Sequence, residues 1–202
     1  MEFDRIYAEV DLGRIEENMK AMKEHLRPGT KMYGVVKTDA YGHGAVPVAR
    51  TIDRFVCGYA VATVDEGLKL RRHGIEKEIL SLGPVSAGRY QECLENDISL
   101  PVFEYRRAKE LSDAAVAEGK TAKIHIAVDT GMSRIGLFPD EGSVEIVKEI
   151  AELPALRIAG MFTHFARADE ADKTNAGEQY RRFREFCDDV KAAGVAVPVC
   201  HC

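Results

Sequence analysis

Short apolar runs alternate with helix-patterned stretches along nearly the whole chain, and this alternation narrows the possible folds more than any other feature. The apolar runs lie near Lys31–Val36, Gly58–Ala62, Glu78–Leu82, Ile98–Val102, Ala122–Val128, Arg157–Phe162 and Val195–Cys200. Helical patterns lie near Gly44–Arg54, Val64–His73, Gly88–Asn96, Glu104–Glu118, Pro139–Glu152 and Asn175–Ala193. Pro28-Gly29, Gly83-Pro84, Gly119, Pro154 and Gly194 punctuate the boundaries. Runs that are apolar throughout suit strands buried on both faces, which means parallel pairing under a cover of helices. One more strand is expected at Ile6–Asp11, followed by an amphipathic helix over Leu12–Leu26. The expected fold is therefore α/β: an incomplete TIM-type (β/α) barrel of seven parallel strands plus a separate N-terminal strand. A closed barrel needs an eighth repeat and typically about 250 residues. A doubly wound open sheet is the alternative. There is no internal repeat or linker, and the chain stops at Cys200-His201-Cys202, directly after a strand candidate, which reads as an interrupted element.

Composition excludes several function classes. The 202 residues are 46% hydrophobic and 30% charged, enough for one sizeable core. With a net charge of -5 and no long basic cluster, there is no electrostatic footprint for nucleic acid. The opening Met1-Glu2-Phe3-Asp4-Arg5 lacks the basic start and apolar core of a signal peptide. No apolar run approaches the roughly 18 residues of a membrane span. Five scattered cysteines read as reduced thiols, which points to the cytoplasm.

Three candidate sites follow three of the apolar runs. Lys37 ends the first, ahead of a loop containing Tyr41-Gly42-His43-Gly44. A partly desolvated lysine amine at a strand end can attack a carbonyl and form a Schiff base, whereas a surface lysine in a turn would do nothing. Glycines let the backbone approach a ligand, and the Tyr41 hydroxyl could bond a phosphate or simply pack. Asp129-Thr130-Gly131-Met132-Ser133-Arg134-Ile135-Gly136 follows the run ending at Val128. Its glycines flank an arginine whose planar fork suits a carboxylate, unless it only pairs with a surface acid. Thr163-His164-Phe165-Ala166 follows the next run. Its histidine suits a flat cofactor, or a structural hydrogen bond. In a β/α barrel such strand ends meet at one mouth. An amine for an aldehyde, a phosphate grip and a guanidinium for a carboxylate together point to pyridoxal phosphate and a small carboxylate substrate.

These residues carry a family resemblance. Val35-Val36-Lys37-Thr38-Asp39-Ala40-Tyr41-Gly42-His43-Gly44 resembles the pyridoxal-phosphate attachment motif of bacterial alanine racemases. The Asp129–Gly136 and Thr163–Ala166 segments match two further motifs of that family in order, and Tyr7–Asp11 with Asn18 resembles its opening. The resemblance implies that Lys37 carries the cofactor and serves as acid/base group on the D-alanine face. It implies that Tyr41 bonds the phosphate region, that Arg134 contacts the cofactor oxygen and the substrate carboxylate, and that His164 packs at the ring. It further implies a cytoplasmic homodimer that supplies D-alanine for peptidoglycan, with a β-rich second domain. Residues 1–11 would belong with that second domain and residues 12–202 would form the partial barrel.

Two departures accompany the resemblance. Many members carry a lysine in the strand before the arginine loop, whose carbamate orients that arginine; Ala127 stands there instead. The later motifs, including the tyrosine base for the L-alanine face, have no counterpart in these residues, so the chain reads as an N-terminal portion not competent alone. The alternatives are a short non-catalytic pyridoxal-phosphate-binding barrel, a racemase for serine or lysine, and a decarboxylase of the same barrel type. A metal site at Cys200 and Cys202 has one residue between the cysteines, where zinc pairs usually have two to four, and no metal is expected.

Overall fold

The computed structural model describes residues 6–202, and its elements alternate as the sequence pattern requires. The chain divides into two compact units, residues 1–80 and 81–202.

The first unit runs α1 (Leu12–Glu24), β1 (Tyr33–Val35), α2 (Lys37–Tyr41), α3 (Ala45–Ile52), β2 (Gly58–Val61), α4 (Val64–Arg72) and β3 (Glu78–Ser81). The strands lie in the order β1-β2-β3. β1 and β2 pair in parallel, Gly34 opposite Tyr59. Val36, Ala49, Tyr59, Val61, Leu70, Ile79 and Leu80 make its core, each at most 1% exposed. The buried Tyr59 hydroxyl contacts Ala49 O at 2.7 Å and Asp53 Oδ1 at 2.8 Å, so burying that ring leaves no polar atom unmet. α4 begins with a full capping box: Glu66 N–H donates to Thr63 Oγ1, and the Glu66 carboxylate reaches back to the Thr63 N–H.

The second unit runs α5 (Tyr90–Glu95), β4 (Ile98–Val102), α6 (Tyr105–Ala117), β5 (Ala122–Val128), α7 (Glu141–Ala151), β6 (Leu156–Thr163), α8 (Thr174–Ala192) and β7 (Cys200–His201). Its strands lie in the order β4-β5-β6-β7 and all pair in parallel. β4 is buried at every position and β5 at all but one. Such strands bury both faces, as parallel strands under helices do. Ile124, Ile126, Met161, Val147, Ile150, Phe186 and Val190 are at most 2% exposed. The β5–β6 register shifts at Ile124/His125. Gly160 lies beside the shift, and a Cβ there would stand 2.7 Å from the His125 ring and 2.9 Å from Val199 O.

Three local expectations differ from the structure. Residues 6–11 carry no strand; they lie mostly exposed, and Asp11 instead caps α1 by accepting the Arg14 N–H at 3.1 Å. The first part of the chain, Met1–Arg5, lies outside the described residues. The last strand forms only at Cys200–His201 rather than over Val195–Cys200, because Pro198 has no N–H to give a ladder. Val195 and Val197 are buried all the same. Lys37 to Gly44, read as a loop opening onto a helix, contains the tight turn α2 before the helix starts at Ala45. No helix of the described residues is long and apolar enough to cross a membrane.

Candidate active site

Lys37 is half-buried and follows the fully buried Val36, whose N–H continues the β1 ladder by donating to Ala60 O at 3.0 Å. The backbone then turns left-handed. Thr38, Asp39 and Ala40 have φ of 52–54° and ψ of 45–46°, and Tyr41 has φ 54°. Each L-residue in that region costs roughly 1–2 kcal/mol, and runs of them are not expected. Hydrogen bonds offset the strain. Gly42 N–H donates to Thr38 O at 3.2 Å, and Gly44 N–H to Asp39 O at 2.8 Å. Thr38 N–H donates to Glu66 Oε1 at 2.6 Å. Asp39 Oδ1 accepts the Lys69 ammonium at 2.7 Å and the Ala45 N–H at 3.0 Å. The Lys69 bond, then the Ala45 N–H, hold the Asp39 carboxyl below the ordinary carboxylate value. This left-handed turn carries Tyr41 round so that its ring centre stands 5.8 Å from Lys37 Nζ, with the tyrosine 64% exposed.

The second unit carries the other two candidates on braced loops. Asp129, 6% exposed, accepts the N–H groups of Gly131 at 2.9 Å and Ser133 at 3.0 Å through one carboxylate oxygen. Leu137 then returns to the strand: its N–H donates to Ala127 O at 2.9 Å, and its O accepts Asp129 N–H at 2.8 Å. Gly136 makes the return possible. Its φ is 129°, and a Cβ would stand 2.4 Å from Asp129 N. Arg134 is thereby presented, exposed, on a loop fixed at both ends. His164 is exposed just past Thr163, and the Thr163 and Thr130 hydroxyls bond each other at 2.8 Å, tying its strand end to the arginine loop. Gln179 on α8, 2% exposed, donates to Thr130 Oγ1 at 3.3 Å and accepts Ala166 N–H at 2.9 Å. Thus the first unit brings Lys37 and Tyr41 together, and the second brings the Arg134 and His164 loops together.

Comparison with known proteins decides the family. The family model described as alanine racemase, N-terminal domain, matches residues 10–202. The chain belongs to the alanine racemase family. It is 44% identical to the alanine racemase of Clostridium novyi (strain NT), across 97% of this chain and 51% of that protein. The solved alanine racemase of Clostridium difficile 630 superposes with a TM-score of 0.88 at 36% identity, covering 94% of this chain and 49% of that one. Its complex with cycloserine gives the same TM-score and identity over 93% and 51%. The chain spans about half the length of the alanine racemases it matches. The incomplete (β/α)-barrel expectation thus agrees with the solved racemases, and the doubly wound alternative falls.

The alanine racemase motifs contain the candidate side chains but not the groups that hold them. Glu66, Lys69 and Gln179 went unread. The Thr63-x-x-Glu66 spacing is a capping-box signature, legible in principle. Gln179 shares a helical stripe with Phe183, Phe186 and Val190, and a polar residue on a buried stripe is a signal of its own. Ala127 is 1% exposed, and its backbone carbonyl accepts the Leu137 N–H.

Proposed function

We propose that this chain forms the cofactor-holding portion of a pyridoxal-phosphate-dependent enzyme interconverting L- and D-alanine. The observation that carries the reading is Lys37: half-buried directly after the fully buried Val36 at the exit of parallel strand β1, on a strained and heavily braced turn. Strain stored in a turn that carries a reactive residue marks a functional site. Membership of the alanine racemase family and the relative's cycloserine complex support a small-molecule substrate.

Each donor suits one part of the cofactor. Lys37 offers an amine for its aldehyde, Tyr41 an exposed phenol for its phosphate, Arg134 a guanidinium for its ring oxygen, and His164 a flat ring to pack on it. When bound, pyridoxal phosphate supplies an electron sink that makes an amino acid's α-proton removable. Lys37 Nζ then accepts or returns that proton on the D-alanine face, and Arg134 holds the carboxylate through two parallel bonds. In this reading residues 12–202 make the partial barrel and residues 1–11 go with a second, β-rich domain. The whole enzyme works as a cytoplasmic homodimer supplying D-alanine for peptidoglycan.

The test is chemical. Incubation with pyridoxal phosphate, borohydride reduction and peptide mapping should place a stable pyridoxyl group on Lys37, and Lys37→Ala should lose it. A label confined to other lysines refutes the reading.

A further inference from the structure

We propose that Glu66 is a positioning residue for Lys37, holding the left-handed turn in the one conformation that aims the lysine. The inference rests on the cofactor role of Lys37 proposed above.

Glu66 serves two elements at once. Its Oε2 accepts the N–H groups of Ala62 at 2.7 Å and Thr63 at 3.2 Å, completing the start of α4. Its Oε1 accepts the Thr38 N–H, the first amide after the lysine, at 2.6 Å. Capping α4 needs only one of these oxygens; the second is committed to the turn. Thr38 is the residue least suited to its backbone, because a β-branched side chain at φ 52° is an outlier. The Thr38 N–H lies in the peptide plane that joins it to Lys37, so a short bond to a carboxylate fixes that plane, and with it the ψ of Lys37 and the point from which the left-handed turn departs. One helical turn along, Lys69 reaches Asp39 from the same helix, so α4 grips successive residues of the turn from one face. Release of the Thr38 amide frees φ and ψ directly beside Lys37. The lysine then samples several directions in place of one, which lowers the fraction poised to meet an aldehyde.

Glu66→Gln separates the two duties. A glutamine also completes a capping box. Its one carbonyl oxygen goes to the side with two donors, Ala62 and Thr63, and its NH2 group then faces the Thr38 N–H, donor against donor. Thr63→Ala is the complementary control, weakening the cap while leaving Oε1 on Thr38. Two measurements read the outcome on the full 202-residue chain. Amide hydrogen exchange, followed by NMR without cofactor, should be faster at Thr38 by about tenfold in Glu66→Gln and unchanged in Thr63→Ala, since one charge-assisted bond is lost. Pyridoxyl incorporation at Lys37, relative to surface lysines, should fall by a similar factor in Glu66→Gln alone. Wild-type labelling of Lys37 with equal labelling in Glu66→Gln overturns the positioning role and leaves the cofactor reading standing. Failure of wild-type Lys37 to take the label overturns both. Equal loss of label in the two variants also overturns the proposal, because it assigns the effect to α4 stability.

Discussion

Gly136 and Gly177 show how far the surroundings of one residue decide the sign of a substitution. Gly136 has φ 129°, and a Cβ there would meet Asp129 N at 2.4 Å and Val128 C at 2.6 Å, backbone that cannot move aside. Gly136→Ala should therefore destabilise by about 2–4 kcal/mol, seen as a lower urea midpoint at unchanged slope. Gly177 sits inside α8 with nothing within 4 Å of the added methyl. Gly177→Ala should stabilise by about 0.5–1 kcal/mol, seen as a higher midpoint, because alanine gives up less backbone freedom on folding. Asp39 adds a pH dependence at the same scale. Its carboxyl is held below the ordinary value of 3.8 by Lys69 first and the Ala45 N–H second. A depressed carboxyl contributes stability above its unfolded value and loses it as pH falls through the folded value. The protection of the Ala45 amide, relative to its intrinsic exchange rate at each pH, should accordingly fall on acidification below about 3.8, and Asp39→Asn should flatten that dependence. An acid profile unaltered in Asp39→Asn would show that the turn is held by other groups.

Among the elements, α8 carries more than packing. Phe183, Phe186, Cys187 and Val190 bury its apolar stripe, and Gln179 interrupts that stripe to bond both Thr130 and Ala166. Gln179→Leu fills the same space but leaves the Ala166 N–H without its acceptor. The expected cost is about 1–3 kcal/mol in urea unfolding, with faster amide exchange at Ala166. Exchange unchanged at Ala166 would mean that this bond does not hold the loop. Elements of this kind were legible in the sequence where a periodic pattern met a plain boundary. β4, β5 and α4 formed where the apolar runs and the helical pattern put them, and burial on both faces leaves the strands little choice of register. The last strand was not legible, since Pro198 splits an apolar run whose side chains are buried without laddering. Nor was the turn at Lys37, where no glycine marks the four left-handed positions. Its shape comes from carboxylates that meet amides and an ammonium up to 30 residues apart in sequence, Asp39 to Lys69 being the farthest. Lys37, Tyr41, Arg134 and His164 could be singled out by residue type and strand-end position. The groups bracing them could not, because bracing is a property of contact and not of spacing.

At the scale of the whole molecule, the proposed reaction sets a requirement that one face cannot meet. Inverting an α-carbon means taking a proton from one side and returning one to the other, which calls for two acid/base groups. In the proposed reading Lys37 Nζ serves the D-alanine side, and the motif resemblance assigns no residue of this chain to the L-alanine side. With pyridoxal phosphate in deuterated water, the 202-residue chain should therefore exchange the α-proton of D-alanine with retention of configuration. Conversion to L-alanine should lag exchange by about 10²–10⁴, the usual contribution of one positioned acid/base group. Lys37→Ala should abolish the exchange while leaving the urea midpoint close to that of the unsubstituted chain, since the amine is a reactive group and not part of the core. Deuterium uptake and L-alanine formation proceeding at equal rates would place a second acid/base group within these residues. His164, at the end of β6, would be the first residue to substitute in tracing it.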